Sequence, residues 1–196
     1  MSVVDIHIEQ PYKKCVQAYG MRQSGKTVLL KYLLVRTPCR YILVDTLHQH
    51  DWKPLHSDVQ QIVRPSPSED LPLFLDGIIE EKWREGNWII VVEELDAYQT
   101  VWNMTQGLKK MINWGGNRNV SLWYTVRRLA DVHKDIVANC EYHFIFKAYV
   151  PNDIEYYRKF VGDVADSAKD LLPYHFIYYR VGGKPEFCKP ISVLNF

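Results

Sequence analysis

Residues Gly20, Met21, Arg22, Gln23, Ser24, Gly25, Lys26 and Thr27 read G-M-R-Q-S-G-K-T. This is a complete match to the phosphate-binding loop G-x-x-x-x-G-K-[ST]. In such a loop, backbone N–H groups wrap a polyphosphate and the following helix turns its N-terminus toward the negative charge. Lys26 would reach the β- and γ-phosphates, and Thr27 would hold Mg²⁺ through its hydroxyl. The chemistry needs a strand before the loop and a helix after it. Cys15–Tyr19 reads as a buried strand, and the apolar run that starts at Val28 reads as a helix. The spacing therefore points to a nucleoside triphosphate, with ATP and Mg²⁺ as the expected pair.

A second acidic motif lies downstream. Trp88–Val92 is the most apolar strand pattern in the chain, and it ends in Glu93-Glu94. Neighbouring residues at a strand end point in different directions. Glu93 can face the Mg²⁺ hydration shell beside Thr27. Glu94 can face the γ-phosphate and orient a water for in-line attack. Asp96 is the reserve candidate for either role. An apolar strand followed by two acids is the arrangement of P-loop ATPases that use an added catalytic glutamate. Their sheet places a further strand between the P-loop strand and the acidic strand, and Val120–Thr125 reads as that strand here. Thr125, at its end, is placed to sense the γ-phosphate. Arg118 stands just before this strand, and Arg127 and Arg128 just after it. A planar, permanently charged guanidinium suits a transition-state contact with phosphate oxygens.

The rest of the chain supplies the frame. Strand and helix patterns alternate, which argues for a mostly parallel sheet covered by helices on both faces. Helices are expected at Lys26–Val35, Asp70–Trp83, near Thr105–Trp114 with Gly115-Gly116-Asn117 ending it, and at Asp131–Ala138. Pro151-Asn152-Asp153 should cap another that runs to Phe160, and a last one covers about Val164–Leu172. Further strands are expected at Arg40–Val44, Gln60–Arg64 and Tyr142–Ala148. Pro65–Ser68 reads as a break and a helix cap. A C-terminal β-hairpin turns at Gly182-Gly183 between Phe176–Val181 and Glu186–Val193. Residues 1–196 read as one domain.

Composition sets limits. The hydrophobic fraction of 47% is that of an ordinary soluble domain. No apolar run is long enough to span a bilayer, and the N-terminus lacks a signal-peptide layout. A cytoplasmic-type location is expected. Cys15, Cys39, Cys140 and Cys188 have no C-x-x-C spacing and read as buried thiols. His48, His50 and His56 share a polar loop, but their spacing fits no common metal site. A net charge of +1 gives no global nucleic-acid signature. A ring can still gather a few Lys and Arg at its pore. The candidate contacts are Lys109 and Lys110, the loop Tyr98–Asn103, and then Lys134 and Arg128.

Taken together, Gly20–Thr27, Val91-Val92-Glu93-Glu94, Gly115-Gly116-Asn117-Arg118, and Tyr124–Arg128 leading to Asp131–Lys134 resemble the HerA/FtsK superfamily of ring-forming DNA-pumping ATPases. The likeness is nearest to the small genome-packaging ATPases of tailless icosahedral double-stranded DNA viruses with an internal membrane. It covers roughly residues 15 to 148. The resemblance implies an ATPase that packages double-stranded DNA and works as a homo-oligomeric ring, a pentamer or hexamer. It implies partners at a capsid vertex, portal or membrane, and action in the host cytoplasm or on the virion. It also implies that Arg118 acts on the adjacent subunit's nucleotide. Two features depart from the family pattern. The acidic pair is Glu-Glu where Asp-Glu is usual, and Thr125 or Val126 stands where a Gln is common. Two other readings stay open. One is a small P-loop kinase, against which the paired glutamates argue, since phosphoryl transfer requires water to be excluded. The other is a nucleotide-gated assembly or secretion protein.

Overall fold

The computed structural model describes residues 6–48 and 60–191. His50, His56 and the end of the expected hairpin lie outside the described residues. Eight strands form one sheet in the order β3-β2-β4-β5-β1-β6-β7-β8. They are β1 (Cys15–Tyr19), β2 (Tyr41–Val44), β3 (Gln60–Val63), β4 (Trp88–Val92), β5 (Val120–Val126), β6 (Cys140–Phe146), β7 (Phe176–Arg180) and β8 (Glu186–Cys188). β1 to β6 are parallel, and β7 and β8 pair antiparallel at one edge. β5 lies between the P-loop strand β1 and the acidic strand β4, as the sequence pattern implies.

Parallel strands buried on both faces read as continuous apolar runs, and β1, β2, β4 and β5 are buried at every position. Alternate residues feed two cores. On one face, Leu29, Leu30, Leu33 and Leu34 of α1 (Lys26–Arg36) pack on Val16, Ala18, Leu43, Val91 and Trp123. On the other, α2 (Leu71–Glu85), α3 (Gln106–Arg118), α4 (Lys134–Ala138) and α5 (Pro151–Val161) cover Ile42, Val44, Ile90, Val92, Leu122 and Tyr124. All six parallel strands deliver their C-terminal ends to one edge of the sheet. Loops that follow β1, β4 and β5 therefore meet there.

Several boundaries differ from the sequence expectation. α3 does not stop at Gly115-Gly116. It runs to Arg118 and ends on Asn119, which adopts the left-handed conformation at φ 54. Gly115 is needed for close approach instead, since a Cβ there would lie 2.2 Å from the Val120 carbonyl oxygen. The cap of α2 is Asp70, whose side chain accepts from the Leu73 N–H, rather than Ser66 or Ser68. Pro151 opens α5, but Asp153 does not cap it. Its Oδ1 accepts from the Ala130 N–H at 2.9 Å and ties α5 to the loop after β5. Residues 162–170 form a 3₁₀ segment rather than an α-helix. Cys15 and Cys140 are free buried thiols that meet where β1 and β6 pair, with Sγ atoms 2.7 Å apart.

Candidate active site

The phosphate loop occupies the turn from β1 into α1. Gly25, the residue before the helix, has φ 110, a conformation that suits glycine and disfavours a side chain. Residues 22–28 line a cavity of about 310 Å³ together with Leu47, Glu93, Glu94 and Tyr174. Gly20 and Met21 form the start of the loop and donate from their backbones to Val126 and Lys147. Ser24 Oγ is buried without a hydrogen-bond partner.

Lys26 does not stand open to solvent in this cavity. It is instead buried, at 6% exposure. Its Nζ donates to the Gly20 carbonyl at 2.8 Å and the Met21 carbonyl at 2.9 Å. The ammonium thus holds the loop closed on itself. Burial lowers its pKa, and Glu94 and Asp96 oppose that shift.

Thr27 and Glu93 meet directly, with Thr27 Oγ1 donating to Glu93 Oε1 at 2.8 Å. Asp45, at the end of β2, stands behind Glu93 and is held by Arg64 Nε at 2.8 Å. No local sequence signal marks Asp45, because only the sheet order brings the ends of β2 and β4 together. A hydroxyl beside a buried carboxylate is a hard-oxygen donor set that suits Mg²⁺. Thr27 and Glu93 would hold it, and a bound Mg²⁺ would neutralise charge on the phosphates.

Burial pushes the Glu93 carboxyl up to about 7, with repulsion from Asp45 and Glu94 adding to it and the Thr27 hydroxyl opposing. A carboxyl with a raised native pKa binds more protons folded than unfolded. Stability should therefore fall as pH rises from its ordinary 4.5 to about 7. We expect Glu93→Gln to be more stable than the parent by about 1–3 kcal/mol at pH 8, with the gain fading below about pH 5. Urea denaturation at the two pH values checks this. An equal difference at both would show that the Glu93 charge is not its source.

Glu94 follows in a strained conformation, φ 56 and ψ 57, left-handed for a residue with a side chain. Thr125 helps fix it. The Glu94 N–H donates to Thr125 Oγ1 at 3.0 Å, so Thr125 touches the peptide of Glu94 and is buried. Its hydroxyl oxygen thus orients the Glu94 peptide. The Glu94 carboxyl is shifted up by burial and by Asp96, while Arg127 and Lys26 pull it down. Arg127 forms ion pairs with Glu94 Oε2 and, at 3.4 Å, with Asp96 Oδ2.

The three arginines separate. Arg127 alone of them reaches the acidic pair. Arg128 instead pairs with Asp153 at 3.6 Å and Asp131 at 3.8 Å. Arg118 lies at the opposite end of β5 from the phosphate loop. Its Nε and Nη2 donate to the Trp83 and Arg84 carbonyls at 3.2 and 3.1 Å, capping the C-terminus of α2. The expected DNA contacts separate as well. Lys110 is engaged by Glu80 at 3.1 Å and sits over the Trp83 ring, so it ties α3 to α2. Lys109 and Lys134 are exposed. Tyr98 is buried against Thr46, whereas Trp102, in the same loop, is 86% exposed.

No family model matches the chain. Solved structures do. The genome packaging NTPase B204 from Sulfolobus turreted icosahedral virus 2, in complex with ATP-gammaS, superimposes with a TM-score of 0.79 at 17% identity, covering 94% of this chain and 100% of that one. This chain has the B204 fold. The AMP complex of B204 gives 0.77 at 18% identity, over 92% of this chain and 99% of that one. The cytoplasmic domain of the type VII secretion ATPase EccC of Thermomonospora curvata gives 0.67 at 16% identity, over 93% of this chain but only 26% of that one. A curated relative, midasin of Dictyostelium discoideum, is 33% identical over 76 residues, 38% of this chain. The match spans 1% of midasin's length. The P-loop ATPase architecture, a mostly parallel sheet flanked by helices, thus holds across nearly the whole described chain. Among the described residues, no helix is long and apolar enough to cross a membrane.

Proposed function

We propose that this chain hydrolyses ATP to drive double-stranded DNA into a preformed viral capsid. It would work with Mg²⁺, as a ring of five or six copies at a capsid vertex in the host cytoplasm. One observation carries the reading. In a fold shared with a genome-packaging NTPase over 94% of this chain, the phosphate loop and the acidic pair line one cavity.

In this reading the loop N–H groups bind the phosphates. Lys26 exchanges the Gly20 and Met21 carbonyls for phosphate oxygens. The Glu94 carboxylate takes a proton from water as it attacks the γ-phosphorus, while Thr125 and the strained peptide hold the carboxylate in place. Arg127 holds Glu94 before nucleotide arrives. Moving to the phosphate charge, it would free that carboxylate, which makes Arg127 our choice for the transition-state contact. A trans role for Arg118 would require it to leave the end of α2.

Pumping a duplex without reading its sequence relies on phosphate contacts, so affinity should fall steeply with salt. Lys109, Lys134 and the Trp102 loop are the remaining contact candidates. We expect DNA to raise the ATPase rate, and Lys109→Ala with Lys134→Ala to lower the stimulated rate severalfold while the basal rate holds. Phosphate release with and without duplex at several salt concentrations tests this. A double variant with normal stimulation would move the contact elsewhere. A secretion motor is the second reading, favoured by the EccC fold match. Stimulation by an unfolded polypeptide and not by DNA would select it.

A further inference from the structure

A second cavity, about 270 Å³, opens directly beside the phosphate loop. It shares Gly25, Val28 and Tyr174 with the phosphate cavity, so the two form one continuous cleft. Its other walls are Phe146 at the end of β6, Phe176 at the start of β7, and Pro190 and Ile191 beyond β8. The Phe146 and Phe176 rings lie 5.2 Å apart, centroid to centroid. Tyr174 stands at the junction. Its ring is close to Gly25, because a Cβ on that glycine would meet Tyr174 Cδ1 at 3.5 Å. It is 56% exposed and holds φ 63, a left-handed conformation that is costly for an aromatic residue.

We propose that this aromatic cleft is the nucleobase site, that Tyr174 stacks on the base, and that the site accepts any purine without reading its edge. The inference rests on the reading of Gly20–Thr27 as a phosphate-binding loop. Three observations lead to it. The cleft continues from the place where the phosphates would sit. Its side chains are aromatic and aliphatic, which suits the face of a base. Among the described residues, the hydroxyl of Tyr174 is the one polar side-chain group in the lining, so no pair of side-chain donors and acceptors from them faces a base edge. Discrimination between adenine and guanine requires such pairs, because it is the unpaired polar group that rejects the wrong partner. Stacking is sequence-tolerant because every base has a π-face. The larger purine surface should still favour purines over pyrimidines.

Calorimetric titration of the full chain with ATP, GTP, CTP and inorganic tripolyphosphate tests the proposal, on the parent, Tyr174→Phe and Tyr174→Ala. Alanine keeps the same backbone strain, so the comparison reads the ring. ATP and GTP should bind within about threefold of each other, and CTP more weakly. Tyr174→Ala should weaken ATP and GTP about tenfold, a loss typical of removing one stacked aromatic. Tyr174→Phe should restore binding, and tripolyphosphate should bind all three proteins alike. ATP preferred over GTP by a hundredfold would overturn the unread base edge. Unchanged ATP binding in Tyr174→Ala would overturn the base site while leaving the phosphate loop standing. Tripolyphosphate failing to bind the parent would instead remove the phosphate loop on which the inference rests.

Discussion

Lys26→Ala should leave no measurable ATP hydrolysis and weaken ATP binding by at least about a hundredfold. The ammonium is the cation that the phosphate-loop motif supplies to the β- and γ-phosphates, and charge-assisted contacts of this kind contribute the most per bond. The structure adds a cost that the sequence did not suggest. Lys26 donates to the Gly20 and Met21 carbonyls, and removing it leaves both without that donor. A loss of about 1–3 kcal/mol of stability is expected as well. Lys26→Met keeps the buried stem and should recover part of that stability but none of the turnover. Turnover at the parent rate in a folded Lys26→Ala protein would remove the phosphate-loop assignment. Thermal denaturation measured alongside the ATPase assay separates the two effects.

Glu94→Gln should bind ATP within about threefold of the parent yet hydrolyse it on the order of 10²–10⁴-fold more slowly, the range for loss of a general base. The amide keeps the side chain's shape, and the backbone N–H to Thr125 is unaffected, so the strained turn should persist. What disappears is the carboxylate that draws a proton from water. It also loses the ion pair with Arg127, which should leave that arginine with Asp96 alone. Single-turnover hydrolysis with equilibrium binding measures both quantities. Normal hydrolysis in Glu94→Gln, with an inactive Asp96→Asn, would transfer the role of base to Asp96.

The strands were the most legible part of the chain. β1 and β4 fall on the sequence reading to the residue, because fully buried strands write themselves as unbroken apolar runs between polar breaks. The encounter of Thr27 with Glu93 was legible too, since each stands at a motif tied to a strand end. Features made by distant parts of the chain were not. Asp76 of α2 accepts from Gly107 and Leu108 and so anchors the start of α3, a contact with no local sequence signal. Gly115 reads locally as a helix stop, yet its lack of a side chain serves the close pass of the Val120 carbonyl. In sequence, Arg118 and Arg128 read as candidates for a phosphate contact. In the fold the first caps α2, and the second is engaged by Asp131 and Asp153. Tyr174 carries no local sequence signal, because only the hairpin at the sheet edge brings it against Gly25.

In the proposed function, ATP hydrolysis moves this protein along duplex DNA. A linear duplex carrying a labelled third strand tests it directly, since a motor advancing along the duplex strips the third strand away. Assembled parent protein with ATP and Mg²⁺ should release the label at a rate that depends little on the duplex sequence and falls at high salt. Glu94→Gln with ATP should release none. An assembled, ATP-hydrolysing parent that leaves the third strand in place, with a rate of hydrolysis indifferent to DNA, would contradict translocation along the duplex.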